Sequence, residues 1–164
     1  MTYKAGVLTI SDKGARGERI DTSGDYMVKA FRDMEIVVAK YEIVSDDVRV
    51  IAMTLSMWAD GGEVDFIITT GGTGLAPRDV TPEATRSVIE KEVPGIVEIM
   101  RADGYTRTPS AILSRAVAGV RGRCLIINLP GNPNAVREYL ELLLPVLPHA
   151  IETLHGRVGD HPVR

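Results

Sequence analysis

The stretch Thr69-Thr70-Gly71-Gly72-Thr73-Gly74, with Arg78-Asp79 close behind, holds the residue types that can handle a phosphorylated ligand. Glycines lack a Cβ and tolerate unusual dihedrals, so the backbone can approach a ligand closely and successive amides can form an anion-binding nest. The stretch is not a Walker A loop, because no Gly-Lys-Ser/Thr follows it, and it does not spell the six-residue dinucleotide fingerprint. A tight strand-to-helix turn that binds nothing would need the same glycines, and the loop alone does not separate the two readings. Asp79, two residues before Thr81-Pro82, can serve simply as a turn carboxylate, and Asp46 as an acid at a helix start. Placed together beside a phosphate-type loop, they become candidates for holding Mg²⁺, which favours one or two carboxylates plus phosphate oxygens. A phosphate monoester, with a second pKa of about 6, is already largely ionised near neutrality, so attack by one would need no general base.

Other reactive residue types point nowhere comparable. His149, His155 and His161 show no partner spacing for a triad and read as exposed tail residues. Cys124 falls inside an apolar run and reads as an inert core thiol. No Gly-x-Ser-x-Gly elbow surrounds any serine, which argues against hydrolase chemistry. Met53, Met57 and Trp58 read as core or interface filling.

The elements that must carry the candidate residues alternate along the chain. Lys4–Ser11 reads as a strand, Asp21–Met34 as a helix capped by Thr22 or Ser23, and Ile36–Val44 as a second strand. Val48, Ile51, Ala52, Leu55, Trp58 and Ala59 mark the clearest helix, with Ser45, Asp46 and Asp47 at its start and Gly61 at its end. Val64–Thr70 is a continuous apolar run, as for a strand covered on both faces. Thr81 as N-cap and Pro82 at the first helical position open a helix, interrupted by Pro94-Gly95 and continuing to about Arg101. Asp103–Pro109 reads as loop, Ser110–Ala118 as a short helix and Arg123–Leu129 as the last central strand. A final helix begins near Asn134 and is disturbed by Pro145 and Pro148.

Strands alternating with helices predict a three-layer α/β/α fold around a central, mostly parallel sheet. Ligands in such sheets bind beyond the carboxyl ends of the strands. Four small, polar or acidic segments follow the strands: Ser11-Asp12-Lys13-Gly14, Ser45-Asp46-Asp47, Gly71–Gly74 with Arg78-Asp79, and Pro130-Gly131-Asn132-Pro133. The topology therefore brings them to one edge.

Composition bounds the remaining possibilities. The 164 residues are 45% hydrophobic and 25% charged, values of a globular chain, and residues 1–164 read as one domain with a loosely ordered tail over 156–164. A core of this size should remove roughly 70% of the unfolded chain's surface, enough to fold without staples. One cysteine permits no internal disulfide, no apolar run reaches a membrane span, and no signal-peptide pattern is present. A cytoplasmic location is expected, without a membrane partner. A net charge of −3 argues against general nucleic-acid binding.

In combination the motifs are specific. Ile10-Ser11-Asp12 with Asp21-Thr22-Ser23-Gly24, Thr70–Gly74 with Arg78-Asp79-Val80-Thr81-Pro82-Glu83, Ala111-Ile112-Leu113-Ser114-Arg115, and Leu129-Pro130-Gly131-Asn132-Pro133 resemble the molybdopterin adenylyltransferase family of molybdenum-cofactor biosynthesis. This is the Mog/MoaB type, related to the gephyrin G domain, and the resemblance runs from about Lys4 to Leu144. It implies ATP and molybdopterin as substrates with Mg²⁺, and attack of the terminal pterin phosphate on the α-phosphorus of ATP, releasing pyrophosphate. It carries Asp46 and Asp79 over as catalytic and metal-holding carboxylates, with Asp47 leaving a one-residue ambiguity. Thr70, Gly71, Gly72, Thr73 and Gly74 match the nucleotide-binding loop. Ser11, Pro130, Gly131 and Asn132 match positions lining the same pocket, and Ser110 and Ser114 the stretch near the pterin phosphate. The resemblance also implies a homotrimer or hexamer, with Ile96–Met100 and Ile112–Val117 as interface material, and other cofactor-synthesis enzymes as partners. The competing reading is a molybdopterin carrier or scaffold without transferase activity.

Overall fold

The computed structural model describes residues 2–157. Six strands form one sheet: β1 (Lys4–Ile10), β2 (Val37–Val44), β3 (Phe66–Thr70), β4 (Lys91–Glu92), β5 (Ala118–Arg121) and β6 (Cys124–Leu129). Their order is β2-β1-β3-β6-β5-β4. The first four run parallel, and β5 pairs antiparallel with both β6 and β4. The helices are α1 (Asp12–Ala15), α2 (Thr22–Asp33), α3 (Val48–Asp60), α4 (Thr81–Val88), α5 (Pro94–Tyr105), α6 (Pro133–Leu143) and α7 (Leu147–Leu154).

The continuous apolar runs are continuous because both faces of the sheet are covered. Ala5, Val7, Phe66, Ile68, Leu125, Ile127 and Leu129 pack into one cluster with Met27 and Phe31 of α2, Met100 of α5, Leu140 of α6 and Ile151 of α7. Leu8, Ile10, Ile67, Cys124 and Ile126 point the other way, onto Ile51, Leu55 and Trp58 of α3 and Ala84 and Val88 of α4. Gly6 permits that second contact, since a Cβ there would stand 2.9 Å from the Trp58 ring.

Register then places the site. Ile10 pairs with Val44, Thr9 with Thr70, and Thr70 with Leu129, so β2, β1, β3 and β6 end side by side. The helices α2 and α4, which follow the adjacent strands β1 and β3, pack on opposite faces, which opens a crevice at the topological switch between them. Buried Asn128 braces this end: its Nδ2 donates to Thr69 Oγ1 (3.0 Å) and Thr85 Oγ1 (2.9 Å), and its Oδ1 accepts from the Val117 amide (3.1 Å).

Several local expectations are corrected. Asp21, rather than Thr22 or Ser23, caps α2, and Val80 rather than Thr81 occupies the α4 N-cap. Pro94-Gly95 does not interrupt α4; that helix ends at Val88, β4 intervenes, and α5 is a separate helix reaching Tyr105, so part of the expected loop 103–109 is helical. The expected helix over 110–118 is a 3₁₀ turn, Pro109–Leu113, followed by β5. Pro145 falls in a turn that divides the last helix into α6 and α7, with Pro148 in the first turn of α7, where its missing amide costs nothing.

The tail also differs. His149 is exposed, but the His155 side chain is only 9% exposed, with Nε2 3.2 Å from the Arg123 carbonyl and 3.5 Å from Asp65. Gly156 and Arg157 donate back onto α7, and the rest of the expected loose tail, with His161, lies outside the described residues. Cys124 is buried, and burial pushes its thiol up to about 12. Met53 and Met57 are exposed while Trp58 is in the core. No helix among the described residues is long and apolar enough to cross a membrane.

Candidate active site

A cleft of about 960 Å³ opens at this end of the sheet. It brings together Ser11, Asp46, Thr70, Gly71, Gly72, Thr73, Gly74, Asp79, Ser110, Ser114, Pro130, Gly131 and Asn132, whereas Asp47 and Arg78 are not among the residues that line it.

The glycine loop is shaped by contacts that exclude side chains. Gly71 has φ +101°, and a Cβ would meet the Ile10 carbonyl oxygen at 2.3 Å. Gly72 has φ +68°, with Thr81 Oγ1 2.3 Å and Asp46 Oδ1 3.2 Å from the Cβ position. Thr81 is buried and donates its hydroxyl to the Gly71 carbonyl (2.9 Å), so its role is to hold the loop. Among the described residues, the amides of Gly72, Thr73 and Gly74 donate to no protein group. The N-termini of α2 and α6 also open onto the cleft through Thr22, Ser23, Pro133 and Asn134, adding the positive ends of two helix dipoles. These backbone charges supply the local attraction that a net charge of −3 cannot.

Each of the two carboxylates lies against a glycine of the loop, Asp46 at Gly72 and Asp79 at Gly74. Asp47 accepts from the Arg49 (2.9 Å) and Val50 (3.1 Å) amides as the α3 cap, so of the two neighbours Asp46 faces the cleft and Asp47 does not. Asp46 Oδ2 accepts from the Asp12 amide (2.8 Å), and the Asp46 amide donates back to Asp12 Oδ1 (3.0 Å). Oδ1 of Asp46 lies toward Gly72. Burial raises the Asp46 carboxyl above the usual range, helped by the charges of Asp12 and Asp79 and opposed by the Asp12 amide and Arg78. Asp79 Oδ2 accepts from the Ala76 amide (3.0 Å) and lies 2.9 Å from the Cβ position of Gly74.

Interactions that the sequence did not reveal brace the walls of the cleft. Arg78 donates to both oxygens of Asp12, at 3.0 and 2.8 Å, which holds that carboxyl below its usual range. Asp21 accepts from Thr9 Oγ1 (2.6 Å) and Tyr41 (2.5 Å). Thr70 and Ser23 fasten the Pro130-Gly131 turn by donating to its two carbonyls, at 2.8 and 2.9 Å. Asp12 and Asp21 stand in motifs already quoted, but no local pattern tells which distant amide or hydroxyl each will meet. Ser11 caps α1 on the Gly14 amide, Asn132 caps α6, and Ser114 Oγ accepts from the Ala116 amide, so these three positions also have structural work.

No group of three or more His, Cys, Asp or Glu among the described residues could hold a metal by itself. Two hard oxygen donors beside free amides instead suit Mg²⁺ completed by phosphate oxygens and water. The donor set therefore fits a magnesium–phosphate ligand.

The family described as "Probable molybdopterin binding domain" matches residues 6–149. A molybdopterin adenylyltransferase of Helicobacter pylori (strain J99) is 41% identical over 157 residues, covering 94% of this chain and 89% of the relative. A molybdenum cofactor biosynthesis protein B of Bacillus cereus is 38% identical over 152 residues, with 91% and 89% covered. Among solved structures, the molybdopterin biosynthesis enzyme MoaB of Thermus thermophilus is 53% identical, with a TM-score of 0.87 and 94% and 97% of the two chains covered. A match along most of the chain, and relatives aligned along most of their own length, place it: the chain belongs to the "Probable molybdopterin binding domain" family.

Proposed function

We propose that this cleft carries out Mg²⁺-dependent adenylyl transfer in molybdenum-cofactor biosynthesis. The terminal phosphate of molybdopterin attacks the α-phosphorus of ATP, the bond from that phosphorus to the bridging oxygen breaks, and adenylylated molybdopterin and pyrophosphate result. One observation carries the reading: Asp46 and Asp79 lie against a loop whose Gly72, Thr73 and Gly74 amides have no other acceptor among the described residues. The names of the relatives support it.

The geometry divides the work. The three amides and the α2 and α6 N-termini take phosphate charge through hydrogen bonds formed in advance. Asp46 and Asp79 would hold Mg²⁺, which, when bound, neutralises phosphate oxygens and favours departure of pyrophosphate. The nucleophile is ionised before it arrives, so these residues orient reactants rather than remove a proton. Ser110 and Ser114, which line the same cleft, would meet the pterin phosphate.

The same reading includes a homotrimer or hexamer. Ile99 and Val146 are 49% and 53% exposed around an apolar hollow of about 310 Å³ that also takes in Ile96 and Leu142. Of the two stretches expected at an interface, Val97, Met100, Ala116 and Val117 lie in the chain's own core, leaving Ile99, Ile112 and Leu113 for a partner. A cytoplasmic setting and exchange of the pterin with other cofactor-synthesis enzymes complete the proposal, in keeping with one buried thiol.

Pyrophosphate release from ATP and Mg²⁺, measured with and without molybdopterin, tests the reading. Release that depends on the pterin is expected. Pterin binding without release at any ATP concentration would make the protein a carrier.

A further inference from the structure

We propose that Arg115 is a positioning residue: it clamps the turn carrying Asp79 against the Ser110–Ser114 wall and so sets where the Asp79 carboxylate stands. The inference rests on the adenylyl-transfer reading only for what Asp79 does; the clamp itself is geometry.

Arg115 follows the 3₁₀ turn and reaches the glycine loop at several points. Its amide donates to the Thr73 carbonyl (2.8 Å), its Nε to the Gly74 carbonyl (2.8 Å) and its Nη2 to the Asp79 carbonyl (2.8 Å). Nη1 pairs with Glu83 of α4. Gly74 and Asp79 lie on the two limbs of one turn, so a single planar guanidinium fixes their separation. The rigid fork of donors suits this task, and a lysine ammonium on a flexible stem cannot span the same acceptors.

The turn is tied from within as well. The Ala76 amide donates to Asp79 Oδ2 (3.0 Å), and the Asp79 amide to the Ala76 carbonyl (2.9 Å). Clamped at its carbonyl and tethered at its carboxylate, Asp79 has little freedom left. The clamp has a fixed base, because Arg101 Nη1 of α5 donates to the Ser114 (3.3 Å) and Ala116 (3.4 Å) carbonyls on either side of Arg115. Arg115 is not among the residues lining the cleft, so it acts through the loop rather than on a ligand.

Hydrogen exchange of the bonded Ala76, Asp79 and Thr81 amides, in ligand-free wild type, Arg115→Lys and Glu83→Gln, tests the clamp, with pyrophosphate release from the same preparations. Arg115→Lys should speed exchange at these amides by about tenfold. It should also lower kcat by about 10- to 100-fold, the usual cost of losing a group that orients a metal ligand, and raise the half-saturating Mg²⁺ concentration while leaving the pterin KM unchanged. Glu83→Gln removes an exposed ion-pair partner but none of the carbonyl contacts, so exchange and turnover should stay within about twofold of wild type.

Unchanged exchange in Arg115→Lys overturns the proposal, as does faster exchange in Glu83→Gln equal to that of Arg115→Lys. Should Arg115→Lys not fold, Glu83→Gln decides alone: wild-type exchange keeps the clamp, and accelerated exchange removes it. A wild type that releases no pyrophosphate would defeat the adenylyl-transfer reading, while the exchange comparison would still decide the role of Arg115.

Discussion

Asp46 and Asp47 are adjacent acids whose side chains part company: one turns to the Asp12 amide and the cleft, the other to the first amides of α3. Asp47→Ala should cost about 1 kcal/mol, as for loss of an N-cap, and leave turnover near wild type. Asp46→Asn should retain the fold but lose pyrophosphate release by more than about 100-fold, beyond what outer-shell changes alone produce. It should also stabilise the protein near neutrality. The folded carboxyl is raised, so its charged form opposes folding above that raised value, and the opposition fades as pH falls through it. Urea midpoints for wild type and Asp46→Asn should therefore differ at about pH 7 and converge below about pH 4. Arg78 pulls the Asp46 carboxyl down, so Arg78→Gln should move the acid limb of the pH–rate profile to higher pH.

At the scale of elements, the loop between β3 and α4 is a backbone device. Its left-handed glycines let the chain pass the Ile10 carbonyl, and among the described residues three amides at the cleft are left without a protein acceptor. Gly71→Ala adds a Cβ against backbone that cannot withdraw, in a conformation L-residues resist, so a loss of at least about 1–3 kcal/mol is expected. Gly17 offers the control. It has φ +72° with open space around it, so Gly17→Ala should cost only the conformational penalty, about 1–2 kcal/mol. Denaturant midpoints check both, and the Gly71 variant should be the less stable.

For the whole molecule, burial of Cys124 between β6 and the α3–α4 layer makes its thiol a reporter of global opening. Raised to about 12, the thiol should resist alkylation in the native state at about pH 8 and react only at the rate of unfolding. Ile99→Glu combined with Val146→Lys should shift the mass measured by light scattering toward the single chain if the apolar hollow between them lies at a subunit contact. The same pair should leave the cleft intact, since neither residue lines it.

Local pattern was enough for the layers and for the edge of the sheet where the cleft opens. The apolar runs of β1, β3 and β6 and the helical period of α3 are consequences of which faces are buried, and burial on both faces is a property each segment expresses alone. Parallel strands then oblige the loops after them to converge, so Asp46, Asp79 and the glycines fall at one edge by topology alone. Short elements escaped: β5 is four residues that acquire strand geometry only by pairing with β6, and the split of the expected helix between α4 and α5 follows from β4 joining the same edge. Which of Asp46 and Asp47 faces the cleft, and which carbonyls Arg115 clamps, was decided by tertiary structure alone. Those bonds join residues 34, 36 and 41 positions apart, and only the register of the folded sheet brings such partners within hydrogen-bonding distance.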